Sequence, residues 1–188
     1  MEMPHIVLVD SNANLCEAWR KALAERSLED KVEVVCEPVK EYLQMTPISS
    51  FVLFADVFGL MEDRFCDSLD ISVKESVRNY LLGHWCGEFP LGFCCGFPMS
   101  NGLPFCIYCA SNSLPGVLDG ESILYHSVRA ALLCAAQNGL PSVLMSAVGA
   151  AQGHLSQSEQ AQIMADAIEQ VLNPPIEVSL RYAKEHAY

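Results

Sequence analysis

Basic residues are scarce in this chain. Lys and Arg number 11 against 23 Asp and Glu, a formal net charge of −12 over 188 residues. Without a basic stripe there is little to displace counterions from a nucleic-acid backbone, so no nucleic acid is expected as a partner. An anionic membrane surface is disfavoured for the same reason. The sequence also lacks any apolar run approaching the roughly 20 residues of a membrane span. Met1-Glu-Met-Pro-His5 has no basic region, and Ile6 to Val9 is too short for the apolar part of an export signal. The expected location is therefore cytoplasmic. No Walker loop and no Gly-x-Gly-x-x-Gly with a downstream acid occurs, which leaves nucleoside triphosphatase and dehydrogenase readings little support. Neither Ser146 nor Ser156 sits in a Gly-x-Ser-x-Gly elbow, so a serine nucleophile is not expected. Long charged or low-complexity tracts are missing too, and with 51% apolar residues the chain reads as one globular domain.

Nine cysteines are present, an odd number scattered through apolar stretches, and most are expected reduced and buried. Cys106-Ile-Tyr-Cys109 has the spacing of a metal knuckle. In a strand, however, residues i and i+3 point to opposite faces, so these two thiols are not expected to share a metal. Neither metal nor cofactor is expected.

Apolar periodicity divides the chain into alternating strands and helices. His5 to Asp10 is a continuous apolar run, a buried strand. Leu15, Ala18, Trp19, Ala22 and Leu23 give a helical stripe over residues 13–25. Lys31 to Cys36 is a second strand ended by Glu37-Pro38, and Val39 to Leu43 a short helix. Ser50 to Asp56 is a third strand, followed by a loop from Val57 to Arg64 and a helix over about residues 69–85. Pro90 to Phe97 and Leu103 to Ala110 are further strands, Asn112 to Gly120 a loop, and Ser122 to Gln137 a helix ended by Asn138-Gly139. Pro141 to Val148 is a strand. Gly149-Ala-Ala-Gln-Gly153-His-Leu155 is a loop of small residues. Ser156-Gln-Ser-Glu159 is a capping box opening a helix that carries Ile163, Met164, Ala167, Ile168 and Val171. Asn173-Pro-Pro175 stops it. The domain thus spans residues 1–173, with a C-terminal appendage over 174–188.

This alternation predicts an α/β domain whose sheet is largely parallel in the middle. Ligands of such folds lie in the crevice beyond the carboxyl ends of the strands. That brings three loops to one site: Glu37-Pro-Val, Asp56 to Arg64, and Ala147 to Leu155. The last combines close backbone approach at Gly149 and Gly153 with the positive end of a helix dipole, which suits an anion such as a phosphate. An ordinary strand-to-helix turn has the same pattern. His154, beside it, is either a donor to that phosphate or a surface histidine. Asp56 and Asp63 are either a carboxylate pair acting as a base on water, or a strand-end loop cap and a solvated acid beside Arg64.

The order of these motifs resembles the macro domain family of ADP-ribose-binding modules, over about Pro4 to Leu172. The branch concerned has an N-terminal strand and helix like Ile6 to Trp19 here. Its third strand ends in a Pro-Ala-Asn-Ser-Phe-Gly-Phe-Met-Asp-Gly-Gly-type run, where this chain reads Phe54-Ala-Asp-Val-Phe-Gly-Leu-Met-Glu-Asp-Arg64. Gly87-Glu-Phe-Pro-Leu-Gly92 is similar to the family's Gly-Glu-x-Pro-x-Gly. Ala147-Val-Gly-Ala-Ala151 falls on its Gly-x-Gly-Thr-Gly loop. The resemblance implies a three-layer α/β/α fold on a mixed sheet, and a module binding ADP-ribose, a related nucleotide or an ADP-ribosylated protein. Glu37 would take the adenine. Asp56, Phe58, Gly59 and Arg64 would cover the distal ribose. Val148, Gly149, Ala150, Ala151 and Gly153 would take the diphosphate.

The departures bear on chemistry. Asp56 stands where active hydrolases of the family have Asn, and Asp63 and Arg64 where paired glycines close over the ribose. Two alternatives follow from the resemblance: an ADP-ribosyl hydrolase using Asp56 and Asp63, and a degenerate macro domain serving as a protein-interaction scaffold. Oligomeric state is not readable.

Overall fold

A strand buried on both faces reads as an unbroken apolar run, and the runs His5–Val9 (β1), Ser50–Asp56 (β3) and Phe105–Asn112 (β5) occupy the inside of the sheet in the computed structural model. The structure describes residues 2–61, 69–99, 102–114, 120–148 and 155–174. Within these, the remaining strands are β2 (Val32–Val35), β4 (Cys94–Phe97) and β6 (Ser142–Met145). The helices are α1 (Ala13–Ala24), α2 (Val39–Met45), α3 (Ile71–Trp85), α4 (Glu121–Gln137) and α5 (Gln157–Leu172). Most of the expected appendage, residues 175–188, lies outside the described residues.

The six strands pair in the order β2-β1-β6-β3-β5-β4. β1 pairs parallel with β2 and β6, and β3 parallel with β6 and β5. Only β4 runs antiparallel, at the edge. It begins at Cys94, four residues later than the apolar run from Pro90 suggests. A tight turn from Pro90 O to Phe93 N–H (3.1 Å), with Gly92 at φ 79°, breaks the regular strand there, although Gly92 N–H and Phe93 O still bond to Ala110 of β5 (2.7 and 3.1 Å). β5 runs two residues past Ala110, to Asn112.

Alternate residues of each strand feed two cores. Ile6, Leu8, Val52, Phe54, Ile107, Cys109, Val143 and Met145 meet α1, α4 and α5 on one face. Val7, Val9, Phe51, Leu53, Ala55, Cys106, Tyr108 and Leu144 meet α2 and α3 on the other. The result is the expected three-layer α/β/α arrangement. Cys106 and Cys109 fall into opposite cores, as period-2 alternation requires.

Candidate functional site

Because the five parallel strands share a direction, their carboxyl ends open on one side of the sheet, the place where α/β folds hold ligands. Three polar residues mark that edge along the inner strands. Asp10 follows β1. Its Oδ1 accepts the Asn12 N–H at 2.8 Å, and its Oδ2 accepts the Ser146 hydroxyl at 3.1 Å, which ties the end of β1 to the end of β6. Asn12 then caps α1, accepting from the N–H groups of Asn14 and Leu15. Asn112 ends β5. Its Oδ1 accepts the Ser111 hydroxyl, while its buried Nδ2 has no partner among the described residues.

Asp56, at the end of β3, is 1% exposed. Its Oδ1 accepts the N–H groups of Phe58 (2.9 Å) and Leu60 (3.1 Å), and its Oδ2 that of Met61 (2.8 Å). The Tyr108 hydroxyl donates to its main-chain carbonyl. Three of the roughly four acceptor positions of the carboxylate are therefore occupied by the chain's own backbone. A base acting on water needs an oxygen that water can reach. This carboxylate faces inward, as the anchor of the loop it begins.

That loop is held from outside as well. Lys74 Nζ donates to the Met61 carbonyl (3.1 Å), and Arg78 to those of Gly59 and Leu60 (both 3.4 Å). The two cations sit four apart on α3, one helical turn, so both face the loop. Their role was not drawn from the sequence, although the i, i+4 spacing was there to find. Gly59 takes φ 70°, and a Cβ there would lie 2.7 Å from Leu81 Cδ1. Phe58 projects outward at 42% exposure beside Leu60 at 40%.

Glu37 lies exposed in the bend after β2, at the far edge of the sheet, with β1 between β2 and β6. Val148, beyond β6, is fully buried, and its carbonyl accepts from Gln160 Nε2 of α5 at 2.8 Å. The capping box is formed: Glu159 N–H donates to Ser156 Oγ (3.2 Å) and Ser156 N–H to Glu159 Oε2 (2.7 Å). These bonds hold the Glu159 carboxyl below its usual range. Asp63, Arg64, Gly149, Ala150, Ala151, Gly153 and His154 lie outside the described residues. The structure therefore brings together Asp56, Phe58 and Gly59 in one loop and fixes the approach to the small-residue loop from both of its ends. Glu37 stands apart, two strands from β6.

Among the described residues, no group of three or more His, Cys, Asp or Glu is placed to hold a metal ion, and no helix is long and apolar enough to cross a membrane.

No protein-family model matches this chain, and no curated protein matches it by sequence. Solved structures do. The macrodomain of Mycobacterium tuberculosis DarG superposes with a TM-score of 0.57 at 14% identity, over 69% of this chain and 86% of that one. A Trypanosoma brucei macrodomain superposes with a TM-score of 0.54, also at 14% identity, over 80% of this chain and 55% of that one. At that identity the likeness is one of fold.

Proposed function

From the divergent macrodomain fold that this chain has, we propose that it is a binding module for ADP-ribose or a closely related nucleotide derivative, free or attached to a protein. The observation that carries the reading is the shared edge where β1, β6, β3 and β5 end. There Asp10, Ser146 and Asp56 brace the backbone, and α5 opens with its capping box directly after the loop containing Gly149 and Gly153. In this reading that loop and helix end take the diphosphate, and the loop from Val57 to Met61, with exposed Phe58, lies against the distal ribose. Glu37 meets the adenine only if the ligand extends across the end of β1.

Binding is preferred over ADP-ribose hydrolysis because the Asp56 carboxylate is spent on three backbone N–H groups, which leaves it poorly placed to activate water. The test is calorimetric titration of the protein with ADP-ribose, with Gly149→Glu as control. Micromolar binding, weakened at least tenfold by the added carboxylate, is the expected result. No heat and no thermal shift with ADP-ribose would overturn the reading. Incubation with an ADP-ribosylated protein is expected to give retention without release of ADP-ribose.

A further inference from the structure

We propose that Cys36 and Cys16 are an oxidation site, a dithiol that a hydroperoxide converts reversibly to a disulfide at the end of β2. Cys16 lies in the first turns of α1 and is fully buried. Its thiol reaches back over the sheet, to the carbonyl oxygens of Asp10 (3.2 Å) and Val35 (3.7 Å). Those carbonyls flank the last rung between β1 and β2, where Asp10 N–H donates to Val35 O at 3.2 Å. Cys36 is the next residue along the chain, and it is exposed. Val34, two residues before Cys36, packs against the same core as Cys16, so the alternation of β2 carried one residue on places Cys36 on the side of the sheet that α1 covers. One sulfur is open to solvent and its neighbour is sheltered behind it, the arrangement in which an oxidant reaches the first and the second resolves the product.

The steps balance. The Cys36 sulfur attacks the distal oxygen of the hydroperoxide, and the O–O bond breaks. Cys36 becomes a sulfenic acid, and its proton leaves with the other oxygen as an alcohol or water. The Cys16 sulfur then attacks Cys36 sulfur and displaces the hydroxyl, which departs as water with the Cys16 proton. Two thiols have lost two electrons and the peroxide has gained them. Burial first, and then the neighbouring Cys36, push the Cys16 thiol up to about 11. Cys36 is the exposed sulfur and Cys16 the buried one, so the hydroperoxide meets Cys36 first. Exchange with a small dithiol reverses the bond.

The disulfide would tie the bend carrying Glu37 to α1. Its effect on ligand affinity rests on the binding reading above, whereas the disulfide itself does not. The experiment treats the reduced full chain with hydrogen peroxide and maps its peptides by mass spectrometry without reduction. The expected product joins the Cys16 and Cys36 peptides, two hydrogens lighter, and is reversed by dithiothreitol. Cys36→Ser abolishes it. Cys16→Ser stops at a sulfenic acid on Cys36, trapped by dimedone. Cys86→Ser, at a second exposed thiol, changes nothing. A peroxide-treated chain in which Cys36 stays unmodified, or pairs elsewhere, overturns the proposal. ADP-ribose titration of the two forms separates the readings. A several-fold change in affinity supports the coupling, and equal affinity overturns it. A disulfide in a chain that binds in neither form sinks the binding function and leaves the thiol pair standing.

Discussion

Asp56 Oδ2 accepts the backbone N–H of Met61, five residues on, at 2.8 Å, and so folds the loop after β3 back onto the strand that precedes it. Removing the carboxylate strands three N–H groups, two of them shared by Oδ1. Asp56→Ala is expected to cost about 2–4 kcal/mol of stability, a fall of about 5–15 °C in Tm for a chain of this size. Asp56→Asn retains one acceptor oxygen and is expected to fall between. Thermal unfolding checks both. An Ala variant as stable as the parent would remove the anchoring role.

Gly59 is a backbone requirement of the same loop. At φ 70°, with its missing Cβ 2.7 Å from Leu81 Cδ1, it leaves a side chain neither the conformation nor the space. Gly59→Ala is expected to destabilise by about 1–3 kcal/mol, from left-handed strain and displacement of a buried leucine. Chemical denaturation with an unchanged slope would show that the loss belongs to the native state.

The capping box predicts a pH dependence. Hydrogen bonds from Ser156 lower the Glu159 carboxyl below its ordinary value. A group whose folded pKa is depressed stabilises fully above its unfolded pKa, and that stabilisation is lost as pH falls through the folded value. The Tm advantage of the parent over Glu159→Gln is therefore expected at neutral pH, shrinking only once the solution is more acid than the ordinary glutamate range. An advantage that grows on acidification would contradict the bond.

Thiol reactivity is expected to divide by burial. Cys36 and Cys86 are exposed, whereas burial pushes the Cys106 and Cys109 thiols up. Among the described cysteines, iodoacetamide at neutral pH should label Cys36 and Cys86 first. Cys106 and Cys109 should react at least about a thousandfold more slowly, through opening of the core. Labelling of Cys109 at the rate of Cys36 would mean that the sheet is open at β5.

Much of this was legible because a sheet packed on both faces leaves so plain a trace. The runs from His5 and Ser50, the α1 stripe through Leu15 and Trp19, and the capping box at Ser156 each follow from local periodicity or a fixed spacing. The separation of Cys106 from Cys109 follows from strand geometry alone. Chain reversals were harder. Pro90 to Phe93 is as apolar as a strand, yet the turn at Gly92 bends it away from β5 after the bonds that Gly92 and Phe93 make to Ala110. The site was read less well for the same reason. Asp56 was visible as a strand-end acid, but its commitment to Phe58, Leu60 and Met61 depends on a loop that doubles back. The Asp10–Ser146 bond joins residues 136 positions apart, a pairing no local pattern contains.

The position of β6 has a consequence for how the molecule comes into being. It lies between β1 and β3, yet it is the last of the described strands in chain order. Until residues 142–145 arrive, the β1-β2 pair and the β3-β5-β4 group have no partner in common, and each presents an open inner edge to solvent. During synthesis the nascent protein must therefore carry two unjoined half-sheets, with the exposure to wrong pairing that open edges bring. The closing event is the insertion of one four-residue strand and the docking of the helix behind it. A chain cut short before Ser142 would be two sticky fragments on a tether, whereas one ending after α5 has its keystone in place.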